Sequence, residues 1–64
     1  MLSNLKKIRT SKGLTLKQLS YKTGISKSYL FELENLIKIN PSYKIVEILT
    51  KELNTTINEL ERTK

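Results

Sequence analysis

Residues 15–35 constrain the fold more than any other segment, because two helix starts lie on either side of one glycine. Thr15 and Gln18 have the spacing of a capping box, in which each side chain accepts a hydrogen bond from the other residue's backbone N–H. Gly24 stands where the first helix must end, and glycine adopts the left-handed conformation of such an end without the cost of a Cβ atom. Ser26 can then cap a second helix. The segment therefore predicts two short helices joined by a tight turn.

The second of these helices has an apolar side and a polar side. Leu30, Leu33 and Ile37 recur at helical spacing, with Ser26 on the same line. The opposite side carries Lys27, Ser28, Phe31, Glu32 and Asn35. We expect the first side to pack in the core and the second to contact a partner.

Three further helices are predicted outside this segment. Ser3 is expected to cap the first, which carries Leu2, Leu5 and Ile8 inward and ends near Lys12 and Gly13. Pro41 excludes a helix immediately before it, and Ser42 is expected to cap the fourth helix. The inward residues of that helix are Val46, Leu49, Thr50 and Leu53.

Thr56 and Glu59 form a second capping-box pattern, which predicts a last helix containing Ile57 and Leu60. No strand pattern, internal repeat or low-complexity segment interrupts the series. The predicted fold is all-α, a compact five-helix bundle in which residues 1–64 form a single domain and residues 15–35 a helix-turn-helix.

Several packing roles follow from the same spacing. In the second helix Leu16, Leu19, Ser20 and Thr23 are predicted to face inward, and Lys17, Tyr21 and Lys22 outward. Arg9 lies beside the buried side of the first helix, where a lone charge is costly, so we predict an ion pair with Glu34; the alternative is two independent solvated side chains. Structural roles are expected for Tyr21 and Tyr29.

Composition limits the classes of function. The 64 residues include 12 lysines and arginines against 6 acidic residues, a net charge of +6 that favours a polyanionic partner, although lysines can also serve solubility alone. The absence of cysteine and histidine removes disulfides, thiolate metal sites and the usual general base. We expect no cofactor, no metal and no enzymatic activity. No segment is long and apolar enough for a membrane span, so a soluble, cytoplasmic protein without membrane partners is expected.

Four short motifs carry a resemblance to a known family. They are the run from Lys12 to Leu16, the run from Gly24 to Leu30, the pair Glu34 and Asn35, and the triplet Asn40, Pro41 and Ser42. Together they resemble the lambda-repressor/Cro-like class, often called the XRE family. Within it the chain is most similar to SinR-type regulators, which share the run Lys27, Ser28, Tyr29 and Leu30 and the longer loop before Asn40.

This resemblance implies a five-helix bundle that binds an operator in double-stranded DNA, usually as a homodimer on a partly palindromic site. Two positions depart from the family pattern. Leu16 replaces a glutamine that contacts phosphate in many members, and Leu36 replaces a glycine that commonly follows the Glu34 and Asn35 pair. Longer SinR-type regulators also have a multimerisation domain that this sequence lacks, so binding of a protein antagonist and higher assembly cannot be carried over.

The chemistry of the exposed helix side supports DNA contact independently, because residues near the start of a helix reach base edges in a major groove. Lys27 can donate to guanine, Ser28 to several bases, Phe31 can contact a thymine methyl group, and Glu32 can accept from cytosine. The alternative for Lys27 and Ser28 is ordinary solvated surface, and Phe31 could instead contact a protein. Candidate phosphate contacts lie at helix starts or beside the reading helix: Thr15, Lys17, Lys22, Ser26, Asn35, Lys38, Ser42, Tyr43 and Lys44.

Other apolar residues are left for a partner. Ile45, Ile48, Ile57 and Leu60 are the candidates for a dimer interface, although the first two could instead pack on the last helix. Ile37 is expected to continue the buried stripe, whereas Leu36 and Ile39 either cover an edge of the domain or contact a partner.

The sequence thus predicts a sequence-specific transcriptional regulator that inserts residues 26–35 of each subunit into the major groove. A repressor is expected, because a domain of this size can occlude a promoter but offers little surface for recruiting polymerase. The alternative is an antitoxin or adaptor of the same fold that binds another protein through Phe31, Leu36, Ile39 and Ile45.

Overall fold

A computed structural model describes residues 2–38 and 40–62 of the chain. These residues form five helices, α1 (Leu5–Ser11), α2 (Leu16–Thr23), α3 (Lys27–Glu34), α4 (Tyr43–Glu52) and α5 (Ile57–Leu60). Within the described residues there is no strand, so the all-α prediction is confirmed.

The predicted caps of the two central helices are present. The Thr15 Oγ1 accepts a hydrogen bond from the Gln18 N–H at 3.0 Å, and the Gln18 Oε1 accepts one from the Thr15 N–H at 2.8 Å, which completes the capping box of α2. The Ser26 Oγ accepts from the Tyr29 N–H at 3.1 Å and so caps α3. Because a cap depends only on residues within one turn, sequence spacing predicts it well.

Side-chain hydrogen bonds fix the turn between α2 and α3. Gly24 has a φ of 77°, in the left-handed region, and its N–H donates to the Ser20 carbonyl at 2.8 Å. The Ser20 hydroxyl donates to the Ile25 carbonyl at 2.6 Å, and the Thr23 Oγ1 accepts from the Ile25 N–H at 3.1 Å. The two inward polar residues of α2 therefore hold the angle between the helices.

Leucine dominates the core. Its largest fully buried side chains come from all five helices and from the residue after α4: Leu5, Leu19, Leu30, Leu33, Leu49, Leu53 and Leu60. Helix α2 packs against α3 and α4, α1 packs against α3, and α5 packs against α4. Ile45 and Ile48 of α4 are half-buried and pack against this core.

The start of α1 differs from the prediction, because Ser3 does not cap it. Asn4 is the residue at the N-cap position and makes no side-chain cap. Instead, the Ser3 hydroxyl donates to the Arg62 carbonyl at 3.2 Å, and the Asn4 Nδ2 donates to the Glu59 carbonyl at 2.9 Å. These side chains therefore donate to carbonyls near the end of the four-residue helix α5, where a short helix has few backbone partners to offer.

Helix α3 also ends earlier than its apolar pattern suggested. It stops at Glu34, and Leu36 adopts a φ of 59°, so the chain turns away before the next helical position on the buried side. Ile37 consequently does not extend the buried stripe; it is 63% exposed. The structural role predicted for Tyr21 is likewise wrong, since its side chain points into solvent at 91% exposure, whereas Tyr29 is half-buried against the core as predicted.

The two C-terminal helices have the predicted serine and threonine caps, but of the capping box predicted for Thr56 and Glu59 the described residues show only the Thr56 half. The Ser42 Oγ accepts from the Ile45 N–H at 3.3 Å, and the Thr56 Oγ1 accepts from the Glu59 N–H at 3.2 Å. Between them Asn54 has a φ of 52°, a conformation that asparagine tolerates better than most residues. The connection between α4 and α5 therefore needs only short caps and one left-handed residue.

Candidate nucleic-acid interface

The first turn of α3 is open to solvent. Lys27 and Ser28 are exposed directly after the Ser26 cap, and Phe31 is half exposed one turn later. Glu32 is only half-buried, and its backbone carbonyl accepts hydrogen bonds from the Ile37 N–H at 2.8 Å and the Lys38 N–H at 3.2 Å. The four residues predicted to read bases therefore follow one another along the accessible side of α3.

Residues from outside α3 complete this surface. Leu16, at the start of α2, and Ile37, in the loop after α3, line one shallow depression with Lys27, Ser28, Phe31 and Glu32. Sequence spacing did not find Ile37, because it extrapolated the helix beyond Glu34. The signal that could have placed the turn there is the position of Leu36 itself, which the family resemblance marks as a common glycine position and which adopts a φ of 59° here.

A second depression separates the starts of α3 and α4. It is lined by both cap residues, Ser26 and Ser42, and by Lys44, three of the predicted phosphate contacts. The half-buried residues Tyr29 and Ile45 form part of its wall. Two helix N-termini and one ammonium group therefore face the same opening, an arrangement that favours an anion.

The other predicted phosphate contacts are distributed around α2 and α3. Lys17 and Lys22 lie with Tyr21 on the outer side of α2, and Thr15 is exposed at its start. The Asn35 Nδ2 donates to the Phe31 carbonyl at 2.8 Å, which holds that side chain at the end of α3. All of these residues, and Lys38, are exposed.

Tyr43, the first residue of α4, lies between Ser42 and Lys44 in the chain and is 81% exposed. It lines a different depression from these two neighbours, with Leu2, Asn40, Pro41 and Ile57, beside α5.

A buried ion pair fixes α3 against α1. The Arg9 Nε donates to the Glu34 Oε2 at 2.5 Å and the Arg9 Nη2 donates to the Glu34 Oε1 at 3.1 Å, so the pair is bidentate. The Arg9 Nη1 also donates to the Leu14 carbonyl at 2.7 Å, in the loop before α2. Only 9% of the Arg9 side chain and 2% of the Glu34 side chain are exposed. The predicted partners are thus in contact, and the link to Leu14, which the sequence did not indicate, ties three segments together.

One of the four candidates for a dimer interface is ruled out by burial. Leu60 is completely buried in the core of its own chain, because α5 packs that side chain against α4, so it offers no surface to a second copy. Ile57 is 45% exposed and remains available. Ile39, which was considered as a partner contact, lies outside the described residues.

The described residues contain neither a metal-binding cluster nor a membrane-spanning helix. Within residues 2–38 and 40–62, no three histidine, cysteine or acidic side chains come together in a way that could hold a metal ion. None of the helices described has the length and apolar character that crossing a membrane requires.

Comparison with known proteins decides the family. A family model described as helix-turn-helix matches residues 5–60, which includes all five helices. The chain belongs to the XRE-type helix-turn-helix family. This match confirms the family resemblance that the four sequence motifs indicated.

Three curated relatives of this helix-turn-helix chain are transcriptional regulators by name. It is 35% identical over 63 residues to the HTH-type transcriptional regulator SinR of Bacillus licheniformis, covering 92% of this chain and 57% of that protein. It is 34% identical to SinR of Bacillus subtilis strain 168, and the match covers 88% of this chain and 50% of that protein. It is 35% identical to SlrR of the same strain, and the match covers 81% of this chain and 34% of that protein. The chain thus spans about half the length of the SinR relatives. No solved structure gives a significant match.

Proposed function

We propose that this chain is a sequence-specific DNA-binding regulator of transcription that places α3 in the major groove of an operator. The observation that carries the proposal is the exposure of Lys27 and Ser28 in the first turn of α3, directly after a turn whose angle is fixed by hydrogen bonds. In helix-turn-helix proteins the start of the second helix contacts base edges. The names of the three relatives, all transcriptional regulators, support the same function.

Phosphate contacts on both sides of α3 would set its orientation in the groove. Ser26, Ser42 and Lys44 surround one opening beside α3, and Lys17 and Lys22 are exposed on α2. Contacts to phosphate position a protein on DNA without reading its sequence, whereas side chains on base edges provide specificity. The net charge of +6 is consistent with this division of roles.

The finer proposal is a homodimeric repressor. Two copies related by a two-fold axis would place their α3 helices in successive major grooves, about one helical turn apart, on a partly palindromic site. Repression is the simplest outcome of such binding, because a protein seated on a promoter excludes polymerase without needing a further contact.

Selection of binding sites from random duplex DNA tests the proposal directly. We expect enrichment of a partly palindromic sequence whose half-sites are centred about one helical turn apart. Enrichment of a single half-site would leave DNA recognition in place and contradict the dimer. Failure to enrich any sequence at low salt would contradict the proposed function.

A second candidate function is an antitoxin or adaptor that binds a protein with the same surface. It is favoured by the exposure of Phe31, Leu36 and Ile37, which are 50%, 40% and 63% accessible. Such a module would show no sequence enrichment in the selection, which separates the two functions in one experiment.

A further inference from the structure

Three apolar side chains meet beside the base-reading residues. Leu16 comes from the first position of α2, Phe31 from the middle of α3 and Ile37 from the following loop, and all three line the depression that also contains Lys27 and Ser28. We call Leu16, Phe31 and Ile37 the apolar cleft. Phe31 is 50% exposed and Ile37 is 63% exposed, so the fold does not gain the full stabilisation that burial of these side chains would give.

Three backbone hydrogen bonds connect the loop that presents Ile37 to α3. The N–H groups of Ile37 and Lys38 both donate to the Glu32 carbonyl, at 2.8 and 3.2 Å, and the Leu36 N–H donates to the Leu33 carbonyl at 3.3 Å. Leu36 adopts a φ of 59°, which is costly for a residue with a side chain. Backbone strain of this kind is concentrated at functional sites. The fold therefore keeps a strained turn that leaves an isoleucine at the surface beside α3.

The charges around the apolar cleft favour a base edge as its occupant. The Lys27 ammonium and the Ser28 hydroxyl can donate to acceptors, while the Glu32 carboxylate in the same depression repels a phosphate. A base edge with an acceptor and an apolar group side by side fits this combination. In the major groove thymine presents that pair, its O4 acceptor and its C5 methyl group.

We propose that the apolar cleft receives the 5-methyl group of a thymine in the operator, so that Ile37 and Leu16, together with Phe31, determine specificity. This inference rests on the proposed function and adds a determinant outside the reading helix. The methyl group would leave water on entering the cleft, and burial of one such group contributes roughly a fourfold change in affinity. Operators would accordingly contain a thymine at a fixed position in each half-site.

The test removes only the methyl group. Each thymine of the selected operator is replaced in turn by deoxyuridine, and the full chain is titrated against each duplex at one salt concentration. For the unchanged protein we expect a loss of affinity of about fourfold at one position per half-site and little change elsewhere. Equal affinity for all thymine and deoxyuridine duplexes would overturn the inference and leave DNA recognition intact.

Variants identify the side chains that contact the methyl group. The quantity compared is the affinity for the thymine duplex divided by the affinity for the deoxyuridine duplex. In the Ile37→Ala and Phe31→Ala variants this ratio should fall toward one at the operator position where the unchanged protein loses affinity. Leu36→Ala is the matched control, because Leu36 is also partly exposed in the same loop but does not line the cleft, so its ratio should equal that of the unchanged protein. Circular dichroism verifies folding, which truncation of the exposed Ile37 side chain leaves intact.

The outcomes separate the two proposals. A ratio that stays fourfold in both cleft variants would overturn the inference, because the methyl group would then be read by other residues. If the cleft binds an apolar protein segment instead, deoxyuridine has no effect at any position, and the inference falls. If no duplex is enriched in the first place, the proposed function fails and this inference fails with it.

Discussion

At the scale of single residues, the contact of Arg9 with Glu34 links α3 to α1. With the bond from Arg9 to the Leu14 carbonyl, it leaves neither side chain with a buried polar atom that lacks a partner. A satisfied buried pair of this kind contributes little by itself, but removal of one partner leaves an uncompensated charge. The pair therefore makes the position of α3 sensitive to a single substitution.

Glu34→Ala should consequently lower the free energy of unfolding by about 3–5 kcal/mol. Arg62→Ala is the control, because its contact with Glu59 spans 3.7 Å between side chains that are 62% and 49% exposed. Exposed pairs contribute about 0–1 kcal/mol, so that variant should remain close to the unchanged protein. Urea denaturation followed by circular dichroism measures both. Equal losses in the two variants would contradict the role assigned to the buried pair.

Two lysines should separate base reading from phosphate contact. Lys27→Ala should weaken operator binding by about 1–3 kcal/mol and relax the preference for sequence, because Lys27 is exposed in the first turn of α3. Lys38→Ala should weaken binding to all duplexes alike and reduce the slope of log affinity against log salt by about one, because a phosphate contact releases counterions. Titrations at several salt concentrations measure both effects. Unchanged operator binding in both variants would mean that DNA contacts another side of the molecule.

At the scale of the helix, signals within one turn predicted the structure well, and among the long-range predictions the contact of Arg9 with Glu34 is present. Thr15, Ser26 and Ser42 cap their helices as predicted, because a cap involves only the next few residues. Ser3 does not cap α1 because its hydroxyl donates to carbonyls just after the distant α5, which the local sequence of Ser3 cannot reveal. The prediction that Ile37 is buried was wrong because the apolar pattern of the sequence continues beyond the helix, whereas the backbone turns away at Leu36.

In the candidate site, too, helical spacing predicted some positions, whereas the placement of the loops was not predicted. The exposure of Ser28 and Phe31 follows from helical spacing, since both lie well away from Leu30 and Leu33 around α3, whereas Lys27 is exposed because it is in the first turn. The position of Tyr43 beside Ile57, and the arrival of Ile37 next to Leu16, depend on how loops return to the bundle. The periodicity of apolar residues in the sequence carries no information about which distant segments lie side by side.

Gly24→Ala tests the turn between α2 and α3. A Cβ at Gly24 would meet no atom within 4 Å, so the whole penalty comes from the φ of 77°. We expect the free energy of unfolding to fall by about 1–2 kcal/mol, which thermal or urea denaturation measures. Gly24→Asn should lose less, because asparagine tolerates the left-handed region. A smaller loss in the alanine variant than in the asparagine variant would show that the turn itself shifts.

At the scale of the whole molecule, the fold concentrates its apolar material in one leucine core and leaves few apolar residues for a second copy. With Leu60 buried, the exposed side of α5 offers Ile57, which is 45% accessible and lies beside Tyr43. An interface there would be small, so association in the absence of DNA should be weak.

Ile57→Glu tests that interface with little risk to the fold. Ile57 is the first residue of α5 after the Thr56 cap, where a carboxylate interacts favourably with the helix dipole. Sedimentation at micromolar concentration should detect two chains on a palindromic operator for the unchanged protein, and the variant should lose that pairing while it keeps its affinity for a single half-site. A protein that stays monomeric on the palindrome would refute the dimer.

The hydrogen bonds from Ser3 and Asn4 to the carbonyls of Arg62 and Glu59 bring the two ends of the described chain side by side. A short peptide linker could therefore close the backbone into a ring with little disturbance of the five helices. Such head-to-tail closure would restrict the unfolded chain and shift the equilibrium toward the native fold without altering any side chain on α3.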